Sequence, residues 1–152
     1  MKPSMLLLAP ALLALATCAP PPKPPAVLAL TAIGSADQNP DPSGAPAPLA
    51  ISVFYLNGTG KFDRADFFAL TERDKQTLGE DESGSETFVL APGETHTLTH
   101  ELKPGAQAVG IAAQFRDIDR ATWRVSAPVA DSGPTKLTLK VGKLSVSLAP
   151  SP

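Results

Sequence analysis

The side chain with the most definite chemistry in this sequence is the thiol of Cys18, the only cysteine, which closes the run Leu15-Ala16-Thr17-Cys18. A branched apolar residue, two small ones and a cysteine form a bacterial lipobox. There a thiolate takes up a diacylglycerol as a thioether, and the chain is cut just before it. The preceding residues fit this chemistry. Lys2 supplies a single positive charge, and residues 5–16 form an almost unbroken apolar run. A charged start, a short apolar core and small residues before a cut site describe an export signal. The run is shorter than the roughly 20 residues a membrane-spanning helix needs, and Pro10 interrupts it. The same residues also admit a plain secretory signal with an incidental cysteine.

Two other groupings resemble chemical sites. His96 and His100 stand four apart, a spacing that chelates a metal on a helix. The surrounding pattern predicts a strand instead. Thr95, Thr97 and Thr99 alternate with Glu94, His96, Leu98 and His100, and three Thr at period two disfavour a helix. On a strand the two imidazoles are about 13 Å apart, so no metal site is expected. The run Arg116-Asp117-Ile118-Asp119-Arg120-Ala121-Thr122-Trp123-Arg124 contains charges that acid–base catalysis would need. It reads better as a salt-bridged turn, with Arg116 and Arg124 paired to Asp117 or Asp119 and Trp123 plugging the core edge. There is no glycine-rich nucleotide loop, no Gly-x-Ser-x-Gly elbow, and no spacing that supports a Ser/His/Asp triad. No cofactor is expected.

The elements that carry these residues follow from composition. The chain has 152 residues and a formal charge of −2, which becomes −3 once Lys2 is removed. No basic run suggests nucleic acid as a partner. With Cys18 taken by lipid, no disulfide is expected, and packing alone must hold a single domain. Three regions are predicted: a signal peptide at 1–17, a lipidated cysteine with a proline-rich linker at 18–25, and a β-domain at 26–149. Five prolines in residues 19–25 favour polyproline II, a spacer of roughly 20 Å. A first strand at 27–34 leads into a long loop at 35–48, where Asn39-Pro40-Asp41-Pro42-Ser43-Gly44 carries strong turn signals. Loops of this length in a compact domain are often functional. A second strand at 49–56 has Ile51, Val53 and Tyr55 on one face and Ser52, Phe54 and Leu56 on the other. Both faces look buried.

Residues 62–78 turn helical, with Phe62, Ala65, Phe68 and Ala69 at helical spacing. One or two short helices are expected, capped by Asp63 and Thr71 and ended by Gly79. Phe67-Phe68 reads as core anchoring, with membrane contact as the sharper alternative. Residues 80–82 read as an acidic loop. Further strands are expected at 86–90, 94–102, 107–115, 123–129, 135–141 and 144–148, with Gly110 allowing close aromatic or backbone approach. Seven or eight strands with one helical excursion predict an all-β, two-sheet β-sandwich.

Several segments resemble a known family. They are Asn39-Pro40-Asp41 with Gly44, Pro46 and Pro48; Ala65-Asp66-Phe67-Phe68-Ala69-Leu70; Leu78-Gly79; Pro92-Gly93-Glu94; and Val109-Gly110-Ile111-Ala112-Ala113-Gln114-Phe115-Arg116-Asp117 followed by Ala121-Thr122-Trp123-Arg124. With the lipobox, these are similar to the TssJ (SciN) family of type VI secretion system outer-membrane lipoproteins. The resemblance implies a transthyretin-like sandwich with a short helical insertion after the second strand, and no enzymatic activity. It implies anchoring in the inner leaflet of the outer membrane through acylated Cys18; Ala19 rather than Asp after it fits that sorting. It also implies a partner, the periplasmic C-terminal domain of the inner-membrane protein TssM, with TssL joining indirectly. The contact residues implied are those of the first loop, Asp37, Gln38, Asn39, Pro40, Asp41, Pro42, Ser43 and Gly44, although the family often carries Leu where this chain has Gln38. A periplasmic lipoprotein of similar sandwich fold that binds or hydrolyses a small ligand or carbohydrate is the alternative.

Overall fold

A computed structural model describes residues 19–152; the expected signal peptide at 1–17 and the expected lipid site Cys18 lie outside the described residues. The predicted sandwich is present. One sheet has the order β4-β1-β7-β8, formed by β1 (Ala26–Gly34), β4 (Thr95–Glu101), β7 (Gly133–Val141) and β8 (Val146–Pro150). The other has the order β3-β2-β5-β6, formed by β2 (Leu49–Leu56), β3 (Glu82–Leu90), β5 (Ala108–Ala113) and β6 (Arg124–Pro128). The central pair β1 and β7 is parallel, and the other pairings within the sheets are antiparallel.

The main core lies between the sheets. Leu28, Leu30 and Ala32 from β1 meet Ile51, Val53 and Tyr55 from β2, with Leu98, Ile111 and Leu139 filling in. Burying each large aliphatic side chain contributes about 1.5–3 kcal/mol. As expected, β2 is buried on both faces, but a two-layer sandwich alone would leave its outer face wet. A third layer covers it: Phe54 and Leu56 pack against Phe62, Leu70 and Leu78 of the helical excursion, together with Ala108 and Ala112. Gly110 makes room for this layer. A Cβ there would stand 2.7 Å from Phe62 Cε2, so the strand needs a residue without one.

The excursion has three short helices, α1 (Gly60–Arg64), α2 (Phe67–Glu72) and α3 (Asp74–Leu78), then a 3-10 turn at Gly79–Asp81. Their caps differ from expectation. Ala65 is extended (ψ 145°), which breaks the first helix and places Asp66 at φ −77°, ψ 169°. Asp66, rather than Asp63, then caps α2, its Oδ1 accepting from the Ala69 amide at 2.8 Å. Thr71 lies inside α2 and donates to the Phe67 carbonyl at 2.9 Å. Gly79 does end α3, at φ 55°. β3 begins at Glu82, inside the predicted acidic loop. Ser83, Gly84 and Ser85 have little strand preference, but pairing with Tyr55 and Phe54 draws them into the sheet.

His96 and His100 are half-buried on β4, where each stacks on a different ring. His96 lies on Phe88 with centroids 4.2 Å apart, and His100 on Tyr55 at 3.9 Å. They close the side of the sandwich where β4 meets β3. The Tyr55 hydroxyl donates to Glu86, and His100 Nδ1 lies 3.4 Å from the same carboxylate. Burial and this bond push the Tyr55 phenol well above its usual range.

Candidate functional site

Topology gives the sandwich two distinct ends. The proline-rich residues 19–25 lead into β1 at one end, where the Pro25 carbonyl accepts from the Gly133 amide at 3.1 Å. β1 then runs to Gly34, about 26 Å away at about 3.3 Å per residue. The loop of residues 35–48 follows at this far end. It lies beside the turn after β5 and the β7–β8 connection.

This loop has a fixed base and an exposed tip. Gln38 and Asn39, expected as contact residues, are 0% and 2% exposed, so their side chains do not reach the surface of the loop. Gln38 Nε2 donates to the Leu90 carbonyl at 2.8 Å and to the Ala47 carbonyl at 3.4 Å. Its Oε1 has no hydrogen-bond partner among the described residues and faces the Cα of Gly34, 2.3 Å from where a Cβ would stand. An amide thus occupies the slot where the resemblance expects leucine. Asn39, at φ 44°, ties three segments together. Its Nδ2 donates to the Pro48 carbonyl at 2.9 Å, its Oδ1 accepts from the Arg116 amide at 2.9 Å, and its own amide donates to the Lys143 carbonyl at 2.9 Å.

Asp41 organises the tip. Its Oδ1 accepts from the Ser43 amide at 2.8 Å, the Ser43 hydroxyl at 2.6 Å and the Ala45 amide at 3.0 Å. The Ser43 hydroxyl bond, then the Ala45 amide, hold its carboxyl below the usual range, and the Arg116 charge adds to this. Pro42, Ser43 and Gly44 are exposed, and Pro40 and Asp41 partly so. Asp37 is also exposed and accepts from the Ser35 hydroxyl at 2.8 Å.

Beside the tip runs a groove of about 710 Å³, walled by Pro40, Asp41, Pro42 and Gly44 on one side and by Arg116, Asp117, Arg120, Lys143 and Leu144 on the other. The sequence singled out the run that holds Arg116, Asp117 and Arg120 but not its meeting with Lys143 and Leu144, because the two connections are far apart in the chain. The predicted ion pairs are rearranged. Arg120 Nε, in a 3-10 turn, donates to Asp117 at 2.6 Å. Arg124 leaves the turn altogether. Its Nη1 donates to the carbonyls of Phe62 (2.9 Å) and Ala65 (2.6 Å), and its guanidinium lies 4.9 Å from the Trp123 ring centre. It pins the helical layer to β6. Trp123 is half-buried and meets Phe67 edge-on at 5.3 Å, while Phe68 is 57% exposed. Of the aromatic pair, then, only Phe67 anchors.

Among the described residues no His, Cys, Asp or Glu cluster is placed to hold a metal, and no helix is long and apolar enough to cross a membrane. What the far end offers is a protruding loop with a rigid base, next to a charged groove.

A search of curated proteins finds no match to the chain. Among solved structures, the type VI secretion lipoprotein TssJ1 from Pseudomonas aeruginosa is 32% identical with a TM-score of 0.82, the match covering 85% of this chain and 98% of that one. Serratia marcescens Lip, described as a membrane-bound component of the type VI secretion system, is 25% identical with a TM-score of 0.77, over 84% and 99% of the two chains. A chain in a structure described as the TssM C-terminal domain (869–1107) from EAEC matches at 25% identity and a TM-score of 0.70, over 83% and 99%. The family model described as "Type VI secretion lipoprotein, VasD, EvfM, TssJ" matches residues 26–144, which include β1 to β7, the helical layer and the loop. The chain belongs to this type VI secretion lipoprotein family.

Proposed function

We propose that this protein is a non-enzymatic scaffold lipoprotein of the type VI secretion membrane complex. Acylated Cys18 holds it in the outer membrane on the periplasmic side. The far-end loop engages the periplasmic C-terminal domain of TssM, and TssL joins through TssM. The observation that carries this reading is the opposition of the two ends. The stalk that follows Cys18 enters β1 at one end, and the loop emerges from it about 26 Å away. A tether needs its two attachments at opposite ends. Further support comes from the structure described as the TssM C-terminal domain. The chain matched there is 99% covered by 83% of this one, so it has about this chain's length. That is too short for a domain numbered 869–1107 and suits a small lipoprotein beside it.

The burial of Gln38 and Asn39 sharpens the proposed contact set. Asp37, Pro40, Asp41, Pro42, Ser43 and Gly44 present surface, while Gln38 and Asn39 hold them in place. Replacing Pro42-Ser43-Gly44 with Gly-Gly removes the tip and keeps the base. Calorimetric titration with the TssM periplasmic domain is expected to show affinity reduced at least tenfold in a variant that still unfolds cooperatively. Unaltered affinity would refute the loop assignment.

A further inference from the structure

The groove beside the loop tip has a chemistry of its own. Arg116, Arg120 and Lys143 converge on it, in a chain whose formal charge is −2. The two carboxylates in its walls are already engaged. Asp117 is paired with Arg120, and Asp41 is turned into the loop's own hydrogen bonds. Arg116 and Lys143 are exposed and have no carboxylate within 4.0 Å among the described residues. Their backbones are fixed, because Asn39 receives the Arg116 amide on its side chain and gives its own amide to the Lys143 carbonyl. One buried residue therefore sets the backbone of both cationic residues relative to the loop, and less backbone ordering is left to binding. Leu144 and the two prolines provide apolar contact between the charges.

We infer that this groove receives a carboxylate-bearing segment of the partner that engages the loop, seated between Arg116 and Lys143. The inference rests on the reading of the loop end as the partner-binding end, and it names the chemistry of the partner's side. A guanidinium takes a carboxylate with two parallel hydrogen bonds, and an ammonium takes it as a point charge. Pairs at an open rim act chiefly on encounter rate and register, and salt weakens them.

The test titrates the TssM periplasmic domain into the purified full chain in detergent, at low and at moderate NaCl, with wild type, Arg116→Glu/Lys143→Glu and Arg116→Gln/Lys143→Gln. Both substituted side chains are exposed, so all three proteins should share one denaturation midpoint. The charge reversal is expected to weaken binding by about tenfold or more at low salt and to flatten its salt dependence. The glutamine pair is expected to do the same to a smaller extent. If wild type and both variants bind alike at both salt concentrations, the groove inference is overturned and the loop contact stands alone. If wild type itself does not bind, the scaffold reading fails, and the groove inference fails with it.

Discussion

Asn39 shows what a single residue can hide. In the sequence it stands beside a proline among turn formers, and a polar residue in a long loop reads as surface. The structure buries it because its three bonding partners, Pro48, Arg116 and Lys143, arrive from elsewhere in the chain, and no local pattern encodes their arrival. Replacing it with alanine leaves the Pro48 carbonyl and the Arg116 amide without partners. Asn39→Ala is expected to cost about 1–3 kcal/mol by denaturant titration, and a loss near zero would mean water satisfies both groups. Gly110 was legible by contrast, since a glycine inside an apolar strand signals close approach. Gly110→Ala would drive a methyl into Phe62 Cε2 (2.7 Å) and Leu56 Cδ1 (3.0 Å), with an expected destabilisation of about 1–3 kcal/mol. Asp41 gives a pH prediction. Its carboxyl is held low in the fold, so its bonds to Ser43 and Ala45 contribute fully above the ordinary carboxylate range and are lost as pH falls through the lowered value. An NMR titration should place its midpoint below that of aspartate in an unstructured peptide, and an equal midpoint would mean the tip is not closed by this side chain.

At the scale of elements, periodicity was a good guide wherever one element faces one core. It located β2 to the residue and placed its two faces correctly, because alternating side chains sort between two apolar clusters. It placed the helical layer but not its breaks and caps, because short helices have too few turns for the period to register and the decisive break at Ala65 is a backbone choice. The start of β3 was missed for a related reason: Ser83, Gly84 and Ser85 are drafted by their neighbour β2 rather than by their own preference. The layer's packing ranks its members. Phe62 is fully buried between β2 and β5, and Phe62→Ala is expected to cost about 3–5 kcal/mol. Trp123 is only half-buried, so Trp123→Ala should cost less, about 1–2 kcal/mol. Denaturation curves giving the opposite order would show that Arg124 and Trp123, rather than Phe62, hold the layer to the sheet.

The whole molecule is organised along β1. Its entry carries the proline-rich residues 19–25, its exit carries the loop, and the sandwich between them has an apolar core continuous from one end to the other. The sequence announced the class of fold. It could not announce strand order, since alternation specifies faces and leaves neighbours open, so the parallel β1–β7 pair and the groove assembled from two distant turns emerged only in three dimensions. The proposed function has one protein link the outer membrane at one end to a TssM domain at the other. The most direct measurement is membrane fractionation of a soluble TssM periplasmic domain co-expressed with this chain. With wild type, the domain should sediment with outer membranes. With Cys18→Ser it should stay soluble while still co-purifying with the variant, and with the shortened tip it should stay soluble and separate. A TssM domain that fractionates identically with all three proteins would contradict the account.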